Sequence, residues 1–353
     1  MGKGKDILTS DKFYHIIQDN DARESILLAS FSVFQYKLVN IVKVIAIILL
    51  VAISWNIIMF MADNAADMED IYFLRYDNNS VETILYKYDA QTEKVYQIGK
   101  VDGFFHNCQI DCEEKYITGV RNPRFLEDIS DFESGIVRYS LEDGTSELLR
   151  SEKQMCIGKD EGICWDKSFP FDDGNKMCMF YENREYPYIL YDLETGKAKK
   201  LDMLEKGCSV YDIMEGYIYY SVKSKLMKYN INTYQRTNVF QGGQHSNAVS
   251  GYAVSKDGTK AAAVYGIRQK RIYLYDVVRG KRYTLKAGWN RTFNNNSSGW
   301  DTGGNDYYYI EHFIKFFDGH DTRIKVYNVH TKKSKCIYFS RNDSGSITYE
   351  FIK

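Results

Sequence analysis

Histidines, cysteines, carboxylates and tryptophans are the side chains of this sequence that could carry chemistry. The six histidines are His15, His106, His245, His312, His320 and His330, and none stands at metal-ligand spacing from another His or a Cys. His312 and His320 flank Asp318 and are expected in a solvated loop. The seven cysteines are Cys108, Cys112, Cys156, Cys164, Cys178, Cys208 and Cys336, an odd number that leaves at least one thiol. Cys156 and Cys164 flank a loop and are the better disulfide candidate. The competing reading makes all of them reduced, partly buried small hydrophobes. G-x-S-x-G, H-E-x-x-H and the P-loop are all missing. The sequence therefore assigns no catalytic residue, no metal ligand and no cofactor.

Two other groups remain. Asp160, Glu161, Asp301 and Asp306 are candidate acids for glycoside cleavage, which needs two carboxyls about 5–9 Å apart. Trp165, Trp289 and Trp300 lie at or near polar loops such as Asn290–Gly304, NRTFNNNSSGWDTGG. They either line a ligand surface at one mouth of the fold or pack between its repeating units.

The elements that must position these residues recur. A strand ending in Tyr-Asp or a near equivalent, a turn and a second strand appear six times, at Tyr88-Asp89, Tyr139-Ser140, Tyr191-Asp192, Tyr229-Asn230, Tyr275-Asp276 and Tyr327-Asn328. Successive tyrosines are 51, 52, 38, 46 and 52 residues apart. Alternation such as Ile189, Tyr191, Leu193 has the period of a half-buried strand. The Asp, Asn or Ser after the Tyr caps the coming turn through its side chain. Gly144, Gly196 and Gly280 supply positive φ in three turns, with Glu93, Gln235 or Lys332 in that place in the others. Two further strand-like stretches precede most hairpins, for example Ser209–Met214 and Tyr217–Val222. Four strands in 40–50 residues is the size of a β-propeller blade. The expected fold is all-β, a six-bladed propeller over 70–353. The first three strands and the C-terminal SITYEFIK combine into one blade. Seven blades are the alternative, because Arg121–Ser134 has no place in the repeat.

Ahead of the propeller, Val44–Met61 runs for 18 residues without a charge. With the apolar residues from Leu38 onward it is long enough to span a bilayer. Lys37 and Lys43 precede it, whereas Asp63, Asp67, Glu69 and Asp70 follow. The positive-inside rule makes 1–37 a cytoplasmic tail, 38–61 a transmembrane helix, 62–69 a linker and the propeller extracytoplasmic. A cleaved signal peptide fits less well, since about 37 residues precede the apolar core. Reduced cysteines would fit either a reducing, anaerobic habitat or an inverted topology with the propeller in the cytoplasm. Within the tail, Ala22–Tyr36 could form an amphipathic juxtamembrane helix.

Composition narrows the function. The net charge of −1 argues against a nucleic-acid binder. Thirty Tyr against three Pro exclude a disordered chain, a collagen and a helical bundle.

Gly216–Phe240, GYIYYSVKSKLMKYNINTYQRTNVF, resembles the repeat of bacterial low-density-lipoprotein-receptor-like propellers. Ser255–Leu285 resembles the TolB-like propeller repeat, with Lys256 in place of the usual Pro, and Phe171–Lys176 is a weaker copy of its turn. The resemblance implies a propeller that binds partners or ligands. The expected function is a non-enzymatic binding module anchored in membrane lipid, for a protein, peptide or glycan. The alternative is an envelope lyase or glycosidase.

Overall fold

In the computed structural model the chain divides into two compact units, Met1–Asn64 and Ala65–Lys353. The structure describes residues 30–31, 34–35, 37–48, 68–77, 82–122, 133–155, 163–181, 187–202, 204, 207–222, 225–241, 249–265, 270–315, 319–343 and 347–353. In the first unit 37–48 are helical, and their apolar side chains from Leu38 to Ile48 are exposed. The rest of the expected span, the tail up to residue 29 and most of the linker lie outside the described residues. Among the described residues no helix is long and apolar enough to cross a membrane.

The second unit is built of antiparallel four-stranded sheets. The chain first makes β1 (Ile71–Asp77), β2 (Glu82–Asp89) and β3 (Lys94–Asp102). Blade 2 is β4 (Phe104–Ile110), β5 (Tyr116–Asn122), β6 (Gly135–Ser140) and β7 (Ser146–Ser151), followed by the short helix α1 (Glu152–Met155). A 3₁₀ turn at Trp165–Lys167 leads into blade 3, β8 (Phe169–Phe171), β9 (Lys176–Phe180), β10 (Tyr188–Asp192) and β11 (Ala198–Lys200). Blade 4 is β12 (Ser209–Met214), β13 (Tyr217–Val222), β14 (Lys225–Asn230) and β15 (Arg236–Gln241). Blade 5 is β16 (Val249–Val254), β17 (Lys260–Tyr265), β18 (Arg271–Asp276) and β19 (Lys281–Lys286). Blade 6 is β20 (Arg291–Trp300), β21 (Asp306–Ile314), β22 (His320–Asn328) and β23 (Lys333–Asp343). The last strand, β24 (Ile347–Phe351), joins the first three in the order β24-β1-β2-β3. Six sheets result among the described residues, and the C-terminal strand completes blade 1 as the sequence predicts. Residues 123–132, part of the stretch that left a seventh blade open, lie outside the described residues.

The apolar alternation buries each blade against its neighbours. Each of six hydrophobic clusters lies between two adjacent blades. Leu85 and Val101 meet Phe105 and Ile117 between blades 1 and 2, and Phe73 and Tyr349 meet Ile310 and Ile324 between blades 1 and 6. The repeated tyrosines Tyr88, Tyr139, Tyr191, Tyr229 and Tyr327 are buried in these seams.

All six hairpin caps form as expected. The backbone N–H three residues on donates to Asp89, Asp192, Asn230, Asp276 and Asn328 at 2.7–2.9 Å, and to Ser140 at 3.4 Å. The positive-φ residue stands four after the cap, so in blade 4 it is Tyr234 (φ 62°) and not Gln235. A one-residue count along the turn separates the two.

Antiparallel order fixes two faces. The turns after the first and third strands of blades 2 to 6, and the turn after β2 in blade 1, lie on one face, the turn face. The opposite ends of the strands mark the other face, the loop face. The turn after the first strand reaches over the preceding blade. A Cβ at Gly258 (φ +67°) would sit 2.4 Å from the Tyr219 hydroxyl of blade 4, and one at Gly174 (φ +74°) 2.5 Å from Thr118 of blade 2. Glycine is required twice over at these positions, by the backbone angle and by the close approach.

Candidate functional site

The innermost strand of each blade faces the ring axis, where a cavity of about 530 Å³ opens. All six innermost strands, β4, β8, β12, β16, β20 and β24, contribute to its wall. Asn290–Gly304, expected as a polar loop, is mostly the strand β20, with a bulge between Phe293 and Ser298. An innermost strand borders the channel on one side, so it needs no regular apolar alternation, and its Asn and Ser content disguises it as a loop.

Aromatic pairs stand on opposite sides of a wall that is otherwise largely polar. The Tyr76 and Phe104 rings meet edge to face at 4.2 Å, with His106 against Phe104 at 4.4 Å. Across the channel Tyr211 and Tyr252 meet edge to face at 5.0 Å. Burial pushes both of these hydroxyls upward, so they stay neutral near pH 7. The Tyr211 hydroxyl lies 3.2 Å from Ser221 Oγ.

The polar residues of the wall mostly stitch strands together. Asn107, in the left-handed region (φ 49°), donates its backbone N–H to Glu350 Oε1 at 2.6 Å. Its side-chain amide donates to the Trp165 and Ser168 carbonyls at 3.1 and 3.0 Å. Phe351 N–H donates to Ser297 Oγ at 2.6 Å, and Gly174 N–H to Gln109 Oε1 at 3.0 Å. Lys353 Nζ donates to Asp212 Oδ2 at 3.1 Å. Both carboxylates of the wall, Asp212 and Glu350, thus already have a donor. The thiol of Cys108 is buried, and burial pushes it well above the usual range, away from nucleophilic use. Lys167 and Lys353 are exposed cations of the wall, and the Lys167 ammonium lies 4.4 Å from the centre of the Phe180 ring.

The three tryptophans stand apart. Trp165 is buried in the seam between blades 2 and 3. Trp300 packs on Tyr307 at 5.0 Å beside the seam of blades 5 and 6, on the turn face. Trp289 is 82% exposed in the connection into β20, on the loop face. None of them lines the cavity. Trp165 and Trp300 follow the packing alternative, and only Trp289 presents its ring to solvent.

Of the candidate acids, Asp160 and Glu161 lie outside the described residues. Asp301 and Asp306 are buried in and beside the first turn of blade 6, away from the cavity wall. Asp301 Oδ1 accepts the N–H groups of Asn305 and Asp306 at 2.6 and 2.7 Å, and Asp306 Oδ1 accepts from Asn328 Nδ2 at 2.8 Å. Burial raises both carboxyls.

His312 and His320 do meet, with ring centroids 4.5 Å apart, but on the paired strands β21 and β22 and not in a solvated loop. His312 Nδ1 lies 3.2 Å from Thr322 Oγ1, and burial brings the ring down to about 4. Among the described residues no group of three or more His, Cys, Asp or Glu could hold a metal ion. Cys156 lies outside the described residues, and with it the pairing with Cys164. Cys108 and Cys112 are thiols.

The wall residues Tyr76, Phe104, Tyr211 and Tyr252 escaped the sequence reading. The signal was present in blades 4 and 5, where Tyr211 and Tyr252 lie on the first strand of the unit, the one that a propeller turns to its axis.

No protein-family model matches the sequence, and no curated protein matches it. Solved structures do. TolB from Acinetobacter baumannii superimposes with a TM-score of 0.58 at 13% identity, over 82% of this chain and 68% of that one. A TolB structure from Agrobacterium tumefaciens gives 0.52 at 10% identity, over 81% of this chain and 99% of that one. The chain is similar in fold to TolB. At such identities the likeness concerns the fold alone. The TolB-like turn motif of the sequence, Ser255–Gly258, is the inter-blade turn described above. Ser255 Oγ donates to Asp257 Oδ1 at 2.6 Å and accepts from Lys260 N–H at 2.8 Å, which folds the turn over Tyr219.

Proposed function

We propose that this chain is a non-enzymatic binding module that takes a protein, peptide or glycan at the mouth of its central channel. One observation carries the reading. Aromatic pairs stand on opposite sides of the cavity wall, while its two carboxylates, Asp212 and Glu350, are held by a lysine and a backbone N–H. Aromatic surface gives contact area at small entropic cost. A TolB-like propeller fold suits an interaction module. The charge asymmetry about 38–61 supports a membrane anchor with the N-terminus in the cytoplasm and the propeller outside a bacterial cell.

The test uses the full chain in detergent as bait for envelope extract, beside Tyr211→Ala and Tyr252→Ala variants. A partner captured by the wild type and lost by both variants supports the reading. Equal capture by all three, or turnover of an envelope glycan by the purified chain, contradicts it. Protease added to intact cells, with the wall removed, should cut the propeller while a cytoplasmic marker survives. A protected propeller would reverse the topology.

A further inference from the structure

The net charge of −1 hides a division around the ring. The two outer strands of blades 4, 5 and 6, with their turns (225–241, 271–286 and 320–343), hold 14 Lys and Arg against three Asp. The same segments of blades 1, 2 and 3 (82–102, 135–151 and 188–200) hold eight against nine Asp and Glu.

The three acids on the basic side are already engaged. Asp276 lies within ion-pair distance of Lys260 and Arg279, Asp321 of Lys315, and Asp343 accepts from the Ser340 hydroxyl while buried against Tyr349. Many of the cations are not. Arg271, Lys281, Lys286, Lys332, Lys333 and Arg341 are exposed, and none has an ion-pair partner among the described residues.

Their placement decides what they suit. Lys281, Lys332 and Lys333 lie at the turn face, whereas Arg271, Lys286 and Arg341 lie at the loop-face end of the same hairpins. The charge therefore runs the height of the rim, about 20–30 Å for strands of this length. A flat membrane would touch only one face. A flexible chain of negative charges can follow the whole stripe. We propose that the outer rim of blades 5 and 6 binds a linear phosphate-bearing polymer, at a surface separate from the central channel. Arginine forks and lysine ammonium groups would contact successive phosphates.

Long-chain inorganic polyphosphate is the probe, titrated onto the full chain in uncharged detergent at several salt concentrations. Binding should weaken with salt at a log–log slope of about −4, as for roughly six displaced counterions. The variant K281E/K332E/K333E/R341E should bind at least tenfold more weakly with its melting temperature within a few degrees of wild type. K197E/K199E/K200E, on the exposed edge of blade 3, should bind as wild type does. Equal loss in both variants would make the effect one of net charge and overturn the site. So would orthophosphate competing at equal phosphate concentration. Binding to anionic vesicles with none to polyphosphate would replace the polymer by a membrane surface.

Discussion

Lys353 reaches across the turn-face end of the channel to Asp212, closing a 3.1 Å ion pair between the last residue and a strand on the far side of the ring. The Lys353 backbone is fixed beside β4, where its N–H donates to the Cys108 carbonyl and its carbonyl accepts from Ile110 N–H. The pair therefore links blades 1 and 2 to blade 4 across the axis. Its lysine is half exposed, so solvent screens the attraction. A double-mutant cycle of Lys353→Met and Asp212→Asn in urea should give a coupling of about 0.2–1 kcal/mol. A coupling above roughly 2 kcal/mol would mean that the pair acts as a structural clamp and not as a partial cover.

Ring closure weighs far more. Strand β24 and the residue after it bury Tyr349, Phe351 and Ile352, and the strand covers the edge of β1. Phe351→Ala should cost about 3–5 kcal/mol, the usual range for a buried Phe. Removing 347–353 should expose the β1 edge and give aggregation or loss of the cooperative melt. A truncated chain that melts at the wild-type temperature would refute the closure.

Gly258 separates two sources of strain. Its φ is +67° and its Cβ would meet Tyr219, whereas Gly280, with φ +62°, has open space around it. Gly258→Ala should cost about 1–3 kcal/mol more than Gly280→Ala in thermal or urea melts, because both pay the backbone term and only the first overpacks a seam. Equal losses would show that Tyr219 moves aside freely.

His312 gives the fold an acid dependence. Its pKa is lowered to about 4, first by burial and then by His320, while the Asp343 charge opposes the shift. Between pH 6.5 and 4 the unfolded chain binds a proton there that the folded chain does not, so stability falls as pH falls through that window. The contribution is at most about 3 kcal/mol, less whatever the ring's partial exposure allows water to recover. Asp301 and Asp306, raised by burial, act in the opposite sense, so the comparison must be with a variant. His312→Gln should flatten the slope of stability against pH between 6.5 and 4 relative to wild type. Asp89, Asp143 and Asp192, whose carboxyls are lowered chiefly by hydrogen bonds from their own turns, lose their contributions only below about pH 4. An unchanged slope in the variant would remove His312 as its cause.

The repeat was readable because it is written in local rules. A side-chain cap at i, its backbone donor at i+3 and a positive φ at i+4 recur in all six hairpins, and each needs only neighbouring residues. Strand β24 was readable for a different reason: a blade one strand short and a strand without a blade have to meet. The channel wall was not, since Tyr76 and Tyr252 become neighbours of one cavity only when the ring closes. Trp165 and Trp300 were legible only as aromatics in polar surroundings, expected at or near loops, and the sequence did not separate the 3₁₀ turn that holds the first from the axis-facing strand that ends on the second. Trp289, exposed on the loop face, is the one whose setting matches that expectation.

The pairing of Phe73 with Phe351 also sets an order of events during synthesis. Blades 2 to 6 draw all their strands from consecutive sequence and can each form as they are made. Blade 1 cannot. Its β1 edge waits for strand β24, and at about 5–20 residues per second the delay is roughly 15–50 s. Throughout that interval the nascent ring carries an open strand edge and an unfilled seam against blade 6. A chaperone, or a ribosome slowed while β24 is made, would act on this one gap, and neighbouring chains on a polysome would find there the edge most open to wrong pairing.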